Sequence, residues 1–134
     1  MITVTAQDAL KTAQLTPGVK PGRCVRYIAG TDKNGATLHR WIVEVREEGY
    51  PEWVPLKDYT VSEKAISMGK GFYIACGFPE DIWEDLMKGK LKSYQFSETD
   101  CVGKEFDVNV INTMYNGKIQ NEAQDFMKKQ PIMG

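Results

Sequence analysis

The sequence predicts a mainly β domain with short helices, built from five antiparallel strands and a helical insertion between strands 3 and 4. Three observations lead to this fold class. Phe106, Val108 and Val110 alternate with polar residues, which is typical of a half-buried strand. Asn-Gly pairs at 34–35 and 116–117 favour the tight type I′ turns of β-hairpins. Between these hairpins, a helical pattern opens at Ser62.

Composition indicates one soluble globular domain over residues 1–134, with 42% hydrophobic and 26% charged residues. A net charge of −1 excludes nucleic-acid binding by bulk positive charge, but it leaves a local basic groove open. The N-terminus lacks the pattern of a signal peptide, and no apolar run approaches the roughly 20 residues of a membrane helix. We therefore expect a cytoplasmic protein with no membrane contact.

The three cysteines, Cys24, Cys76 and Cys101, are an odd and widely spaced set without a CxxC pair. This pattern favours neither a disulfide framework nor a zinc site, and it suits a reducing cytosol. We expect reduced, structural thiols and no bound metal or cofactor.

The first half of the chain reads as a capped helix followed by strands. Thr5 is placed to cap a short helix within an N-terminal helical segment, residues 1–16. Prolines and glycines at 17–22 predict a stiff connector. Strands are then expected over 23–30 and 36–47. In the second of these, one face carries Thr37, His39, Trp41, Val43 and Val45, and the other carries Leu38, Arg40, Ile42 and Glu44.

The middle of the chain predicts irregular and helical structure. Two prolines make residues 50–59 a loop plus a short edge strand. A broken helix is expected over 62–76, since Gly69 and Gly71 each cost about 1 kcal/mol in a helix interior. Ala65, Ile66, Phe72 and Ile74 would face the core.

A second short helix begins at Glu80, and its helical spacing places Trp83 in the core. Lysines 88, 90 and 92 read as a solvated helix end. The final hairpin spans 102–126, and residues 128–134 form a short flexible tail. Two strands, a third, a helical insertion and two more strands are the layout of an OB-type barrel, which binds oligonucleotides on the face of its central strands.

A spaced series of short motifs runs through this layout. It consists of Pro17-Gly18, Asn34-Gly35, Val43-Glu44-Val45, Ala75-Cys76-Gly77, Val102-Gly103-Lys104, Tyr115-Asn116-Gly117-Lys118 and Asn121. From about residue 15 to 126, the chain resembles phage-encoded OB-fold single-stranded DNA-binding proteins. The resemblance implies a partner of single-stranded DNA and a role in phage DNA replication and recombination, in the host cytoplasm. It also implies contacts with phage or host replication and recombination proteins, and a homo-oligomer is compatible with it. The chain ends KKQPIMG, without the acidic tail through which many such proteins recruit partners.

Binding of single strands needs aromatic rings on which bases stack and cations that follow the backbone. Trp41 fits a core position equally well, whereas Trp53 lies in the prolyl loop and is expected to be exposed. The candidate nucleic-acid-binding residues are Arg26, Tyr27, Lys33, Arg40, Trp41, Trp53, Tyr59, Tyr115 and Lys118.

Enzyme signatures are missing from the sequence. It has no GxSxG, HExxH or Walker-type loop, and Gly69-Lys70-Gly71 is too short for a phosphate loop. His39 reads as a structural strand histidine, and the acids at 80–85 are explained by the helix dipole. We expect a non-enzymatic protein. The alternative to DNA binding is an OB-like protein-interaction or structural module of a phage or mobile element, which the near-zero net charge favours.

Overall fold

The structure, a computed structural model, describes residues 1–129. Six strands form the sheet: β1 Gly18–Thr31, β2 Thr37–Val45, β3 Val54–Pro55, β4 Tyr59–Ser62, β5 Glu105–Tyr115 and β6 Lys118–Lys128. The helices are α1 Ala6–Leu10, α2 Lys70–Ala75 and α3 Glu80–Met87, together with 3-10 helices over Glu63–Gly69 and Glu98–Cys101.

Every strand pair is antiparallel, and the sheet order is β3-β2-β1-β5-β6, with β4 also paired to β2. The expected mainly β fold with short helices is therefore confirmed. The sheet has six strands rather than five, because the prolyl region supplies both β3 and β4, and the helical segment lies between β4 and β5. The two ends of the sheet approach each other, since the Lys57 amide donates to the Asn121 carbonyl at 2.9 Å.

β1 begins at Gly18, so the expected connector at 17–22 is largely strand. β1 pairs with β5 from Gly18 and with β2 only from Gly22 onward. Pro21 therefore lies beyond the end of the β2 ladder, where its missing N–H removes no bond to β2. Gly22 is required by close packing, because a Cβ there would lie 2.5 Å from Val108 Cγ2.

A β-bulge at Val25 shifts the register of β1 against β2 between Cys24 and Arg26. The extra residue changes which face the following side chains occupy. Beyond it, Arg26 is opposite Ile42 and Tyr27 is opposite Trp41. Tyr27 thus shares the core side of the sheet with Trp41, and Arg26 lies on the outer side.

The core is rich in aromatic rings. Phe72 of α2 packs 4.9 Å from both Trp41 and Phe126, measured between ring centroids. Of the two faces of β2 distinguished in the sequence, the one that carries His39, Trp41, Val43 and Val45 points inward, and these four residues are all buried. Phe72 is buried as expected and Ile74 is partly buried, but the core positions predicted for Ala65 and Ile66 are wrong. Both residues are exposed, Ile66 by 46%. The helix breaks at Ala65 (φ −138°, ψ 48°), which turns Ile66 away from the core.

Asn121 of β6 binds the segment that leads from α1 to β1. Its Nδ2 donates to the Ala13 carbonyl at 2.5 Å, and its Oδ1 accepts from the Leu15 amide at 3.1 Å. Thr5 caps α1 as predicted, but α1 ends at Leu10, and a turn at Lys11 and Thr12 leads into residues 13–15, which reach this clamp without helical structure. Leu15 is consequently buried, with 1% of its surface exposed.

An ion pair fixes the start of β1. Lys20 Nζ lies 3.1 Å from Glu47 Oε1, and each side chain retains only 10% exposure. The backbone amide and hydroxyl of Thr16 also donate to this carboxylate. Burial raises the pKa of Glu47, but the bonds from Lys20 and Thr16 outweigh it and leave that pKa lowered.

The predicted start of the tail at residue 128 is wrong, because Lys128 belongs to β6. Residues 130–134 of the predicted flexible tail lie outside the described residues.

Candidate nucleic-acid interface

The outer side of β1 and β2 carries a concentration of positive charge. Arg23 and Arg26 point outward from β1, and Arg40 points outward from β2 between the buried His39 and Trp41. Arg46 follows β2 and Trp53 precedes β3 at the same end of this surface. We call these five residues the arginine face: Arg23, Arg26, Arg40, Arg46 and Trp53.

Aliphatic side chains separate the arginines along the ladder. Arg40 is opposite Ile28 on one side and Thr60 on the other, and Arg26 is opposite Ile42. Arg40 Nε is buried without a hydrogen-bond partner, and it lies 3.6 Å from the position that a Cβ on Gly30 would take. The Arg40 side chain is therefore laid across the sheet, where its charge lacks a carboxylate partner within the described residues.

Trp53 is held by two guanidinium groups. Arg23 Cζ lies 4.2 Å and Arg46 Cζ 5.1 Å from the centroid of its ring. Arg23 is anchored in turn by Glu44, with its Nη2 2.9 Å from Glu44 Oε1. Trp53 is partly buried by these contacts, so it is less exposed than the sequence suggested. Cation–π contacts of this kind set the ring in one orientation.

Two hairpin turns border the arginine face. Lys33 is exposed in the β1–β2 turn, where Asp32 Oδ1 accepts from the amides of Asn34 and Ala36. The β5–β6 hairpin approaches from the other side, since Ile42, Ile119 and Gln120 line one hollow of about 510 Å³.

Tyr115 and Lys118 are both exposed at the tip of the β5–β6 hairpin, with 63% exposure for Tyr115. Positive φ angles at Asn116 (50°) and Gly117 (76°) confirm the predicted turn. The two residues are thus accessible, but they belong to the hairpin and not to the arginine face.

Three of the aromatic candidates face the core instead of solvent. Trp41 is 2% exposed and its Nε1 donates to the Glu98 carbonyl at 3.0 Å, so it offers no ring to a base. The ring of Tyr59 packs 4.9 Å from Phe72, and burial raises the pKa of its phenol. Tyr27 contacts Trp41 at 5.4 Å because the bulge turns it inward.

Tyr27 also belongs to a polar network around His39. Its hydroxyl lies 2.6 Å from His39 Nδ1, and His39 Nε2 is bonded to Glu63. Burial raises the pKa of the Tyr27 phenol, and the negative charges of Glu98 and Glu63 raise it further. A neutral imidazole protonated on Nε2 satisfies both bonds, with Tyr27 as donor and Glu63 as acceptor. The single histidine therefore has a hydrogen-bonding role, as the sequence reading expected.

Arg23 and Arg46 were missed by the sequence reasoning. Arg46 was identifiable, because it has the same strand parity as Arg40 and so belongs to the same outward row. Arg23 carried no such signal, since its approach to Trp53 depends on residues 30 positions away.

Within residues 1–129, no group of three or more His, Cys, Asp or Glu side chains is arranged to hold a metal ion. In the same part of the chain, no helix has the length and apolar character needed to cross a bilayer. No protein-family model matches the chain, and no curated protein matches it either.

Proposed function

We propose that the protein binds single-stranded DNA without sequence preference, along the arginine face. The proposal rests on the concentration of positive charge on the outer side of β1 and β2. In a chain of net charge −1, Arg23, Arg26 and Arg40 point outward from β1 and β2, and Arg46 and Trp53 lie at one end of that surface. In the β1–β2 ladder, Glu44 is the one acid on this side. Cations beside an aromatic platform are the two features that single-strand binding requires.

The dimensions of the face suit a short oligonucleotide. The nine residues of β2 span about 30 Å at about 3.3 Å per residue. OB folds occupy about 4–16 nucleotides, and base stacking on an aromatic ring contributes about 1–3 kcal/mol per base. Ile28 and Ile42 supply apolar surface between the cations, against which bases pack without reading sequence.

The proposal is tested by the salt dependence of binding to a fluorescent poly-dT oligonucleotide. Each neutralised phosphate contributes about −0.7 to the slope of log K against log salt, so four arginines predict a slope of about −3. The double variant Arg26→Gln, Arg40→Gln should reduce the slope to about −1.5. The matched control is Lys88→Gln, Lys90→Gln, which removes two exposed cations near the end of α3 and should leave the slope unchanged.

A wild-type protein that does not retain poly-dT at low salt would overturn the proposal. The second candidate would then be a protein-interaction module. It is favoured by exposed apolar side chains at the tip of the β5–β6 hairpin, where Met114 is 69% and Ile119 51% exposed. The phage replication and recombination setting is supported by the sequence resemblance alone.

A further inference from the structure

A cavity of about 310 Å³ lies on the core side of β2, across the sheet from the arginine face. Its floor is formed by His39 and Trp41 of β2, and its sides come from the helical segment between β4 and β5. Aromatic rings make up most of the wall, from Tyr73, Phe78, Trp83 and Phe96. The cavity is therefore apolar in its body.

The aromatic wall is held in place by its own contacts. The Phe78 ring packs edge-on against Trp83 and against Phe96, with 5.3 Å between centroids in both pairs. The hydroxyl of Tyr73 donates to the Ile66 carbonyl at 2.8 Å. These rings are thus packed against one another before any ligand enters, and a preformed site loses little entropy on binding.

Two acidic residues, Glu63 and Glu98, also line this cavity, and the residues lining it include no lysine or arginine. Glu63 is hydrogen-bonded to His39 Nε2, and its side chain remains 58% exposed. Lys70 Nζ lies 5.7 Å from the Trp83 ring, but Lys70 does not line the cavity.

We propose that this cavity binds a small organic cation, an ammonium group on an aromatic or aliphatic body. The rings attract a cation through their π faces, and the two carboxylates complement its charge. At about 30 Å³ per water-sized group, the volume accommodates a body of about ten non-hydrogen atoms. The same carboxylates repel phosphate, so this site is separate from the arginine face and does not depend on the proposed DNA binding.

Intrinsic fluorescence tests the proposal when Trp53 is removed as a reporter. In a Trp53→Phe background, the remaining tryptophans, Trp41 and Trp83, both line the cavity. Titration with phenethylamine should give a saturable change. The neutral analogue 2-phenylethanol has nearly the same shape and should bind at least tenfold more weakly, and phenylacetate should not bind.

Charge-removing variants identify the carboxylates. Glu98→Gln should weaken phenethylamine binding about fivefold, because its side-chain charge is lost while its backbone carbonyl still accepts from Trp41. Glu63→Gln should act in the same direction. The control is Glu84→Gln, an exposed acid of α3 that does not line the cavity, and it should bind as the parent does.

Equal affinity for the amine and the alcohol would overturn the proposal, as would parental affinity in Glu98→Gln. If Glu63→Gln unfolds because His39 loses its partner, Glu98→Gln alone decides. A protein that binds phenethylamine but not poly-dT would reject the DNA proposal and support the proposal of a cation site.

Discussion

Replacing Trp53 by alanine separates a binding role from a structural one. The structure adds a stability cost that the sequence did not predict, because the ring is partly buried between Arg23 and Arg46. Two exposed cation–π contacts contribute about 0.5–1 kcal/mol each, so unfolding should become about 1–2 kcal/mol easier. The thermal midpoint should then fall by about 4–8 °C. The loss of one stacked base should weaken poly-dT binding by about 1–3 kcal/mol, or about 5- to 150-fold.

The assay combines differential scanning calorimetry with fluorescence anisotropy of labelled poly-dT, both well below the thermal midpoint of the variant. Trp53→Phe retains a ring and should recover most of the affinity. Tyr94→Ala is the matched control, since it removes a ring that is 45% exposed and packs against Phe78, a residue of the cavity wall. It should leave poly-dT affinity unchanged.

Two results would refute this reasoning. If Trp53→Ala folds and binds poly-dT as tightly as the wild type, the arginine face does not stack a base on this ring. If the midpoint falls by far more than 8 °C, Trp53 is a core residue and any loss of binding reflects unfolding.

Three further predictions concern stability. Gly22→Ala should lower the free energy of urea unfolding by about 1–3 kcal/mol, because the new Cβ would lie 2.5 Å from Val108 Cγ2. Gly30→Ala is the control and should be nearly neutral, since its Cβ would have its nearest contact at 3.6 Å. Because the pKa of Glu47 is lowered, its ion pair with Lys20 stabilises the fold fully above the ordinary pKa of 4.5, and this stabilisation is lost as pH falls through the lowered pKa. Glu47→Gln should therefore make the urea midpoint depend less on pH between pH 5 and 2. An unchanged dependence of the midpoint on pH would contradict this. Thiol titration should find three free thiols after unfolding and no reactive thiol in the folded state. The reason is that Cys24, Cys76 and Cys101 are all buried, and burial raises the pKa of Cys24 to about 12. Fewer than three thiols, or about one equivalent of bound metal, would contradict this prediction.

The inward face of β2 was predictable because its alternation is unbroken from His39 to Val45. Alternation does not reveal the inward position of Tyr27, because the bulge at Val25 inserts one residue and reverses the side of every later residue of β1. No Gly or Pro marks that position, so the sequence carried no sign of it. Arg26 and Tyr27 were both proposed as DNA contacts, yet neighbouring strand residues point to opposite faces and only Arg26 remains outside.

In the β1–β2 turn Gly35 has a positive φ but Asn34 does not, so the type I′ turn predicted at 34–35 is wrong. The β5–β6 turn was predictable for a local reason, since Asn116 and Gly117 both adopt the positive φ that a type I′ turn needs. The cavity beside His39 was not, because its walls come from residues 39 to 98 and meet only in the folded chain. Trp83 was correctly expected to pack against the core. Helical spacing identified its apolar side, but spacing carries no information about the space left beside it.

The clamp at Asn121 has a consequence for how the chain acquires its structure. Its hydrogen bonds to Ala13 and Leu15 join residues 108 and 106 positions apart, among the most distant contacts along the chain. Such contacts form late, because the long intervening chain must be ordered before they repay its lost entropy. During synthesis from the N-terminus, Leu15 therefore emerges long before its covering strand exists. We therefore expect the bonds that hold Ala13 and Leu15 to form only after β6 has been made.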